Sequence, residues 1–119
     1  MTTIFDAYDA VLARGADARH AARVAELRAR FEARAGAFRP EDAWFEARSR
    51  AFWDFAVTSG GFAHDVADEV DEAARVWVPR FARAHRGLFV TRGGTRDFPV
   101  LRDLWGGAEF VVQDRKSVV

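Results

Sequence analysis

The sequence predicts an α+β fold: an N-terminal helical bundle of four to five helices, followed by a small antiparallel β-sheet that the chain is expected to leave incomplete. Three observations carry this. Through the first three-quarters of the chain, apolar residues return every three or four positions, the period of one helix face. Gly and Pro fall mostly between those stretches, where helices start and stop. Beyond Gly87 the text becomes short β-branched and aromatic runs parted by glycine pairs, the pattern of hairpins.

The first helix is expected over residues 3–14, with Phe5, Tyr8, Val11 and Leu12 facing inward and Gly15 as its stop. Asp17 has the side chain to accept from the free amides at the start of a second, longer helix that runs to about Ala35. Its apolar stripe is Val24, Leu27 and Phe31, with Phe38 just beyond. Pro40-Glu41-Asp42 suits the opening of a third helix, because a fixed φ and two acids match the first turn and the positive end of its dipole. This helix should reach about Thr58. Trp44, Phe45, Phe52, Trp53, Phe55 and Ala56 cover more than one stripe of it, so it is expected to be central and packed on two sides. After Ser59-Gly60-Gly61, a fourth helical region runs from Phe62 through Val66, Val70, Trp77 and Phe81 to Ala84. Pro79 must kink or divide it, since proline lacks an amide and crowds the carbonyl four residues back. Two or three antiparallel strands are expected from the runs 88–92, 98–102 and 104–112, with Gly106-Gly107 as a tight turn.

The switch near Gly87 changes period without changing polarity, so residues 1–113 read as a single α+β domain, helical over 3–86 and β over 88–112. The last six residues, Asp114-Arg115-Lys116-Ser117-Val118-Val119, are expected not to be native. Written back as GAT-CGG-AAG-AGC-GTC-GTG, they reproduce the start of a ligation adaptor used in DNA sequencing. The chain holds 17 Arg and one Lys, and that Lys is Lys116 in the suspect tail. The body is then expected to be a C-terminally truncated fragment from a GC-rich bacterial genome.

Half the residues are apolar and 13% aromatic, enough for a packed core and against disorder. The net charge is zero, and near −1 without the tail, so no global field recruits nucleic acid or anionic lipid. With no cysteine, disulfides, thiolate metal sites and Cys nucleophiles drop out. No apolar run approaches the roughly 20 residues of a membrane span, and the first residues lack the layout of a secretory signal, so a cytoplasmic setting without membrane contact is expected.

Two clusters are chemically suggestive. On a continuous helix, Asp65, Asp68, Glu69 and Glu72 would share a face, with His64 four residues from Asp68. Carboxylates and an imidazole so placed can stage proton transfer, which makes His64, Asp65, Asp68 and Glu69 candidate catalytic residues. His85, beside Arg83 and Arg86, is a further candidate, although a helix C-terminus explains it as well. The plainer reading of the acids is a solvated helix start, and no second His stands four residues on as a paired metal ligand would. No metal and no cofactor are therefore expected. The second cluster is residues 44–55, where Trp44, Arg48, Arg50 and Trp53 could line an aromatic groove that orients an anionic ligand. The same rings also suit the core. A weaker basic edge with Arg92, Arg96 and Arg102 near Phe89, Trp105 and Phe110 is offset by Asp97, Asp103 and Glu109, so nucleic acid is not an expected partner.

The chain is expected to be a binding, interaction or regulatory module, with a protein partner or self-association through the strand edge at Phe110 to Val112. Part of an enzyme or metal-binding protein using the acidic cluster 64–72 is one alternative, and a nucleic-acid-binding β module is the other.

Overall fold

The computed structural model describes residues 1–84, 89–104 and 107–112. Its fold is α+β, with helices first and a three-stranded antiparallel sheet last. Contacts divide the chain into two compact units, Met1–Ala84 and His85–Val119.

The helical unit opens with α1 (Ile4–Arg14). The Thr3 hydroxyl accepts from the Asp6 amide at 3.1 Å, and the Asp6 carboxylate accepts from the Thr3 amide at 2.9 Å. This reciprocal cap satisfies donors that the helix itself leaves free. It also holds the Asp6 carboxyl below its ordinary range, chiefly through the Thr3 amide. Ala7 and Val11 are buried and Tyr8 half-buried, whereas Phe5, expected inside, is 78% exposed. The inward set is Ala7, Tyr8 and Val11, and Phe5, two residues before Ala7, stands about 160° around the helix from it.

Asp17 is a cap, as its side chain suggested, but what it caps first is a short 3₁₀ turn over Ala18–His20; its Oδ1 accepts from the Arg19 amide at 3.1 Å. From that turn runs α2 (Ala21–Ala35), with Leu27 buried and Val24 and Phe31 packed at the core's edge. Gly36 ends α2 at φ 85°, a conformation that disfavours residues with a Cβ. Residues 40–44 then form turns rather than the expected helix start. The Asp42 carboxylate accepts from the Arg39 amide at 2.8 Å, which commits that acid to a turn, and the helix begins only after it.

That third helix, α3 (Phe45–Val57), is packed from two sides. Phe52, Ala56 and Val57 are buried, and Phe45, Trp53 and Phe55 lie against the core. The Phe31 ring meets Phe38, Phe52 and Phe55 with centroids 5.9, 5.8 and 6.0 Å away, distances at which aromatic pairs attract beyond their area. The Tyr8 hydroxyl donates to Asp54 at 2.7 Å, tying α1 to α3. Burial, then the hydrogen bond to Asp54, pushes the Tyr8 phenol above its ordinary range. Two glycines permit the close approaches. Gly15 has a right-handed backbone (φ −64°), so it is required for space: a Cβ there would lie 2.6 Å from the Trp53 ring. At Gly60 a Cβ would come within 2.9 Å of both the Ala56 carbonyl and Leu27 Cδ2.

The expected fourth helix is instead several short pieces: α4 (Phe62–Asp65), a 3₁₀ turn over Ala67–Glu69, α5 (Glu72–Arg75) and α6 (Val78–Ala82). Val70 is extended, and the Asp71 carboxylate caps α5 by accepting from the Ala74 amide at 2.8 Å. Arg75 reaches back to donate to the carbonyls of Ala67 and Val70 at 2.8 and 3.0 Å, covering acceptors that the break exposes. Pro79 divides the run, sitting in the first turn of α6 where its missing amide is harmless. Phe62, Val66, Val70, Val78 and Phe81 are nonetheless all buried.

The second unit holds β1 (Phe89–Gly94), β2 (Pro99–Asp103) and β3 (Glu109–Val111), in the order β1-β2-β3. Leu101 pairs with Thr91 on one side and Phe110 on the other, and Phe89 with Asp103. That register places Phe89, Leu101 and Phe110 on one face, with the Phe89 and Phe110 rings 6.0 Å apart. The third strand lies within the expected run 104–112, after its glycine pair. The chain first closes a connection in which the Asp103 amide donates to the Ala108 carbonyl at 2.8 Å. His85, Trp105, Gly106 of the expected turn, and the tail from residue 113 lie outside the described residues.

Gly60→Ala is expected to destabilise the chain by about 1–3 kcal/mol, the usual cost of overpacking a site walled partly by backbone, and urea titration of the two proteins measures it.

Candidate functional site

The break at Val70 dissolves the acidic face over residues 64–72, because Asp65, Glu69 and Glu72 now belong to different elements. Asp65 accepts from Arg23 Nε at 2.6 Å, and Arg23 also donates to Glu26 and to the Gly60 carbonyl, both at 2.9 Å. This pins α2 to the turn before α4. His64 and Asp68 are exposed, and Asp71 serves as a cap. Among the described residues, no three His, Asp or Glu side chains are placed to hold a metal ion. Of the candidate catalytic residues, Asp65 is thus engaged by Arg23, His64 and Asp68 are exposed, and His85 is not among the described residues.

Glu69 has a different role from the one its sequence neighbours suggest. Its Oε1 accepts from His20 Nε2 at 2.8 Å and lies 3.4 Å from Arg14 Nε and 3.8 Å from Arg19 Nη1. His20 packs edge-on against Phe62, with centroids 5.7 Å apart, and Arg14 also pairs with Asp17 at 2.5 Å. One carboxylate thus gathers three basic side chains from the α1 to α2 connection. The hydrogen bond from His20, followed by the charges of Arg19, His20 and Arg14 acting against desolvation, lowers the Glu69 pKa from its ordinary 4.5. A depressed folded pKa means that the unfolded chain takes up the proton first as pH falls. The contribution is complete above pH 4.5 and is lost as pH drops through the folded value. Glu69→Gln is expected to lower the melting temperature at neutral pH and to flatten its fall in acid, as a series of melts from neutral to acid pH would record.

The aromatic and arginine segment separates in the same way. Trp53 belongs to the core, against Phe52 and Phe62. Arg48 is turned toward the end of α2, where its guanidinium donates to the carbonyls of Ala35, Gly36 and Ala37 and lies 5.5 Å from the Phe38 ring. A fork of donors there satisfies carbonyls that the helix terminus leaves open and answers its negative pole. Arg28 reinforces the same corner, donating to the Phe38 carbonyl at 2.7 Å above the Phe38 ring. Arg48→Ala is expected to destabilise by about 1–2 kcal/mol, with Arg48→Lys recovering only part, since an ammonium lacks the fork; chemical denaturation distinguishes the three proteins.

Trp44 and Arg50 remain together at the surface. Trp44 precedes α3 and is 73% exposed. With Pro40, Phe45, Glu46 and Arg50 it lines an open recess of about 450 Å³. Among the described residues no acceptor reaches the Arg50 guanidinium. The recess is mixed in charge, because Asp42 and Glu46 share its wall.

A second concavity, of about 390 Å³, was not foreseen from the sequence; it is lined by Met1, Thr2, Ala73, Val76, Trp77 and Arg80. The Trp77 indole donates to the Thr2 carbonyl at 3.2 Å, and the Arg80 guanidinium lies over the same ring at 4.8 Å. Trp77 and Arg80 are three apart, a helix-surface neighbour spacing that was legible, and Pro79 signalled the division between α5 and α6, but not that Val76 would be bared there. Compared with known protein families, curated proteins and solved structures, the chain matches none.

Proposed function

We propose that this chain is a binding module that engages a protein partner through the Trp44 recess, in the cytoplasmic, bacterial setting expected from its sequence. The observation that carries the reading is Trp44 itself. An indole 73% exposed beside a guanidinium with no acceptor among the described residues is poorly used in the isolated chain. Trp and Arg are the side chains that most often dominate protein interfaces, where a ring fills a partner's pocket and the guanidinium meets a carboxylate or carbonyl. The mixed charge of the recess favours a polar, hydrogen-bonding partner surface over a simple anion. Supporting it further, Asp65 and Glu69 are held in ion pairs with Arg23 and with His20 of the same unit.

Peptides selected from a random displayed library on the intact chain are expected to bind at least about tenfold more weakly to Trp44→Ala and to Arg50→Glu, a loss of roughly 1.4 kcal/mol. Both substitutions are expected to leave stability within about 0.5 kcal/mol, as exposed positions usually do. Peptides indifferent to both changes, or a selection that yields none, would sink the reading.

A further inference from the structure

We infer that the concavity between the start of the chain and α5–α6 is a second binding site, independent of Trp44, which takes the C-terminal end of a partner peptide: a free carboxylate beside an apolar side chain. Its walls divide into two chemistries. Met1, Ala73 and Val76 make an apolar floor, and Val76 is 67% exposed although it is flanked by buried core positions at Ala74 and Val78. At one rim stands Arg80, whose guanidinium meets no carboxylate among the described residues and is held 4.8 Å over Trp77. Such a stack fixes the plane of the cation while leaving its edge donors free, the arrangement suited to a bidentate carboxylate. Trp77 is itself held, through its indole N–H to the Thr2 carbonyl at 3.2 Å, so the cation rests on a fixed platform.

Size and openness choose among anionic ligands. A volume of about 390 Å³ lies in the range of small-ligand sites, and it admits one branched aliphatic side chain with its carboxylate. The site is open on one side, so a long acyl chain would leave most of its length in water. A phosphate would use the guanidinium but leave the apolar floor uncovered. A chain terminus uses both parts, with the aliphatic group on Val76 and Ala73 and the carboxylate on Arg80.

N-acetyl-L-leucine is the probe, titrated into the isotope-labelled full chain and followed by nuclear magnetic resonance. The Trp77 indole N–H and Val76 amide signals are expected to move with a dissociation constant on the order of 1 mM, and the neutral N-acetyl-L-leucinamide is expected to bind about tenfold more weakly. Arg80→Gln, which keeps a planar group over Trp77, is expected to abolish that preference, while Trp44→Ala should leave it intact. Equal binding of acid and amide, a preference unchanged in Arg80→Gln, or no movement of either signal overturns the proposal. So does octanoate binding about tenfold more tightly than N-acetyl-L-leucine, which would make the concavity a lipid site.

Discussion

The helical unit depends on covering α3 from two sides. Its rings emerge over an arc of about 160°, and water cannot be excluded from all of them by one neighbour. Leu27 and Phe31 of α2 cover one side; α1, with α4 and its continuation, covers the other. Both approaches are close enough that glycine is required where backbones or rings meet. At Gly60 the obstruction would be the Ala56 carbonyl and Leu27, and at Gly15 it would be the Trp53 ring. These contacts place the ends of α1 and α2, and those ends in turn place the charged side chains. Arg48 reaches the carbonyls closing α2 because α3 lies beside them, and His20 reaches Glu69 because Phe62 supports its ring.

Charge in this unit therefore works mainly as internal fastening. Asp65 with Arg23, Glu69 with its three basic neighbours, and Arg75 with two backbone carbonyls each join segments distant in sequence or bridge a break in helix. Each such pair is modest when solvated. Their value lies in fixing connections that have little apolar surface of their own. Residues left outside this fastening, Trp44 with Arg50 and Trp77 with Arg80, stand where the surface is concave and partly apolar.

Much of the fold was legible in the sequence. Helical spacing located α1 to α3, the inward residues from Phe62 to Phe81, and the change to strands, because burial imposes its period on the text. What escaped was set by local competition or by distant partners. Asp71 ends a would-be helix by capping the next one, a role its sequence context allowed but that the surrounding acids obscured. Asp42 likewise closes a turn and delays α3 beyond Pro40. Phe5 was placed inside on hydrophobicity, although Ala7 holds the buried position on α1. For the site the balance was poorer. Trp44 and Arg50 were named and stay together, but Arg48 and Trp53 are drawn away by carbonyls and rings that lie on other elements, and no local pattern encodes those partners.

The division of residues 62–82 into pieces of three to five residues has a kinetic consequence. Helices this short are far below the roughly 12 residues at which an isolated helix begins to persist in water, so none of α4, α5 and α6 has standing without the others and the core beneath them. They should open together, as one cooperative subunit of unfolding, before α2 and α3 lose protection from hydrogen exchange. Val76, Trp77 and Arg80 ride on that layer. Any ligand they hold would thus be read out as slower exchange across the whole layer, far beyond the few groups it touches.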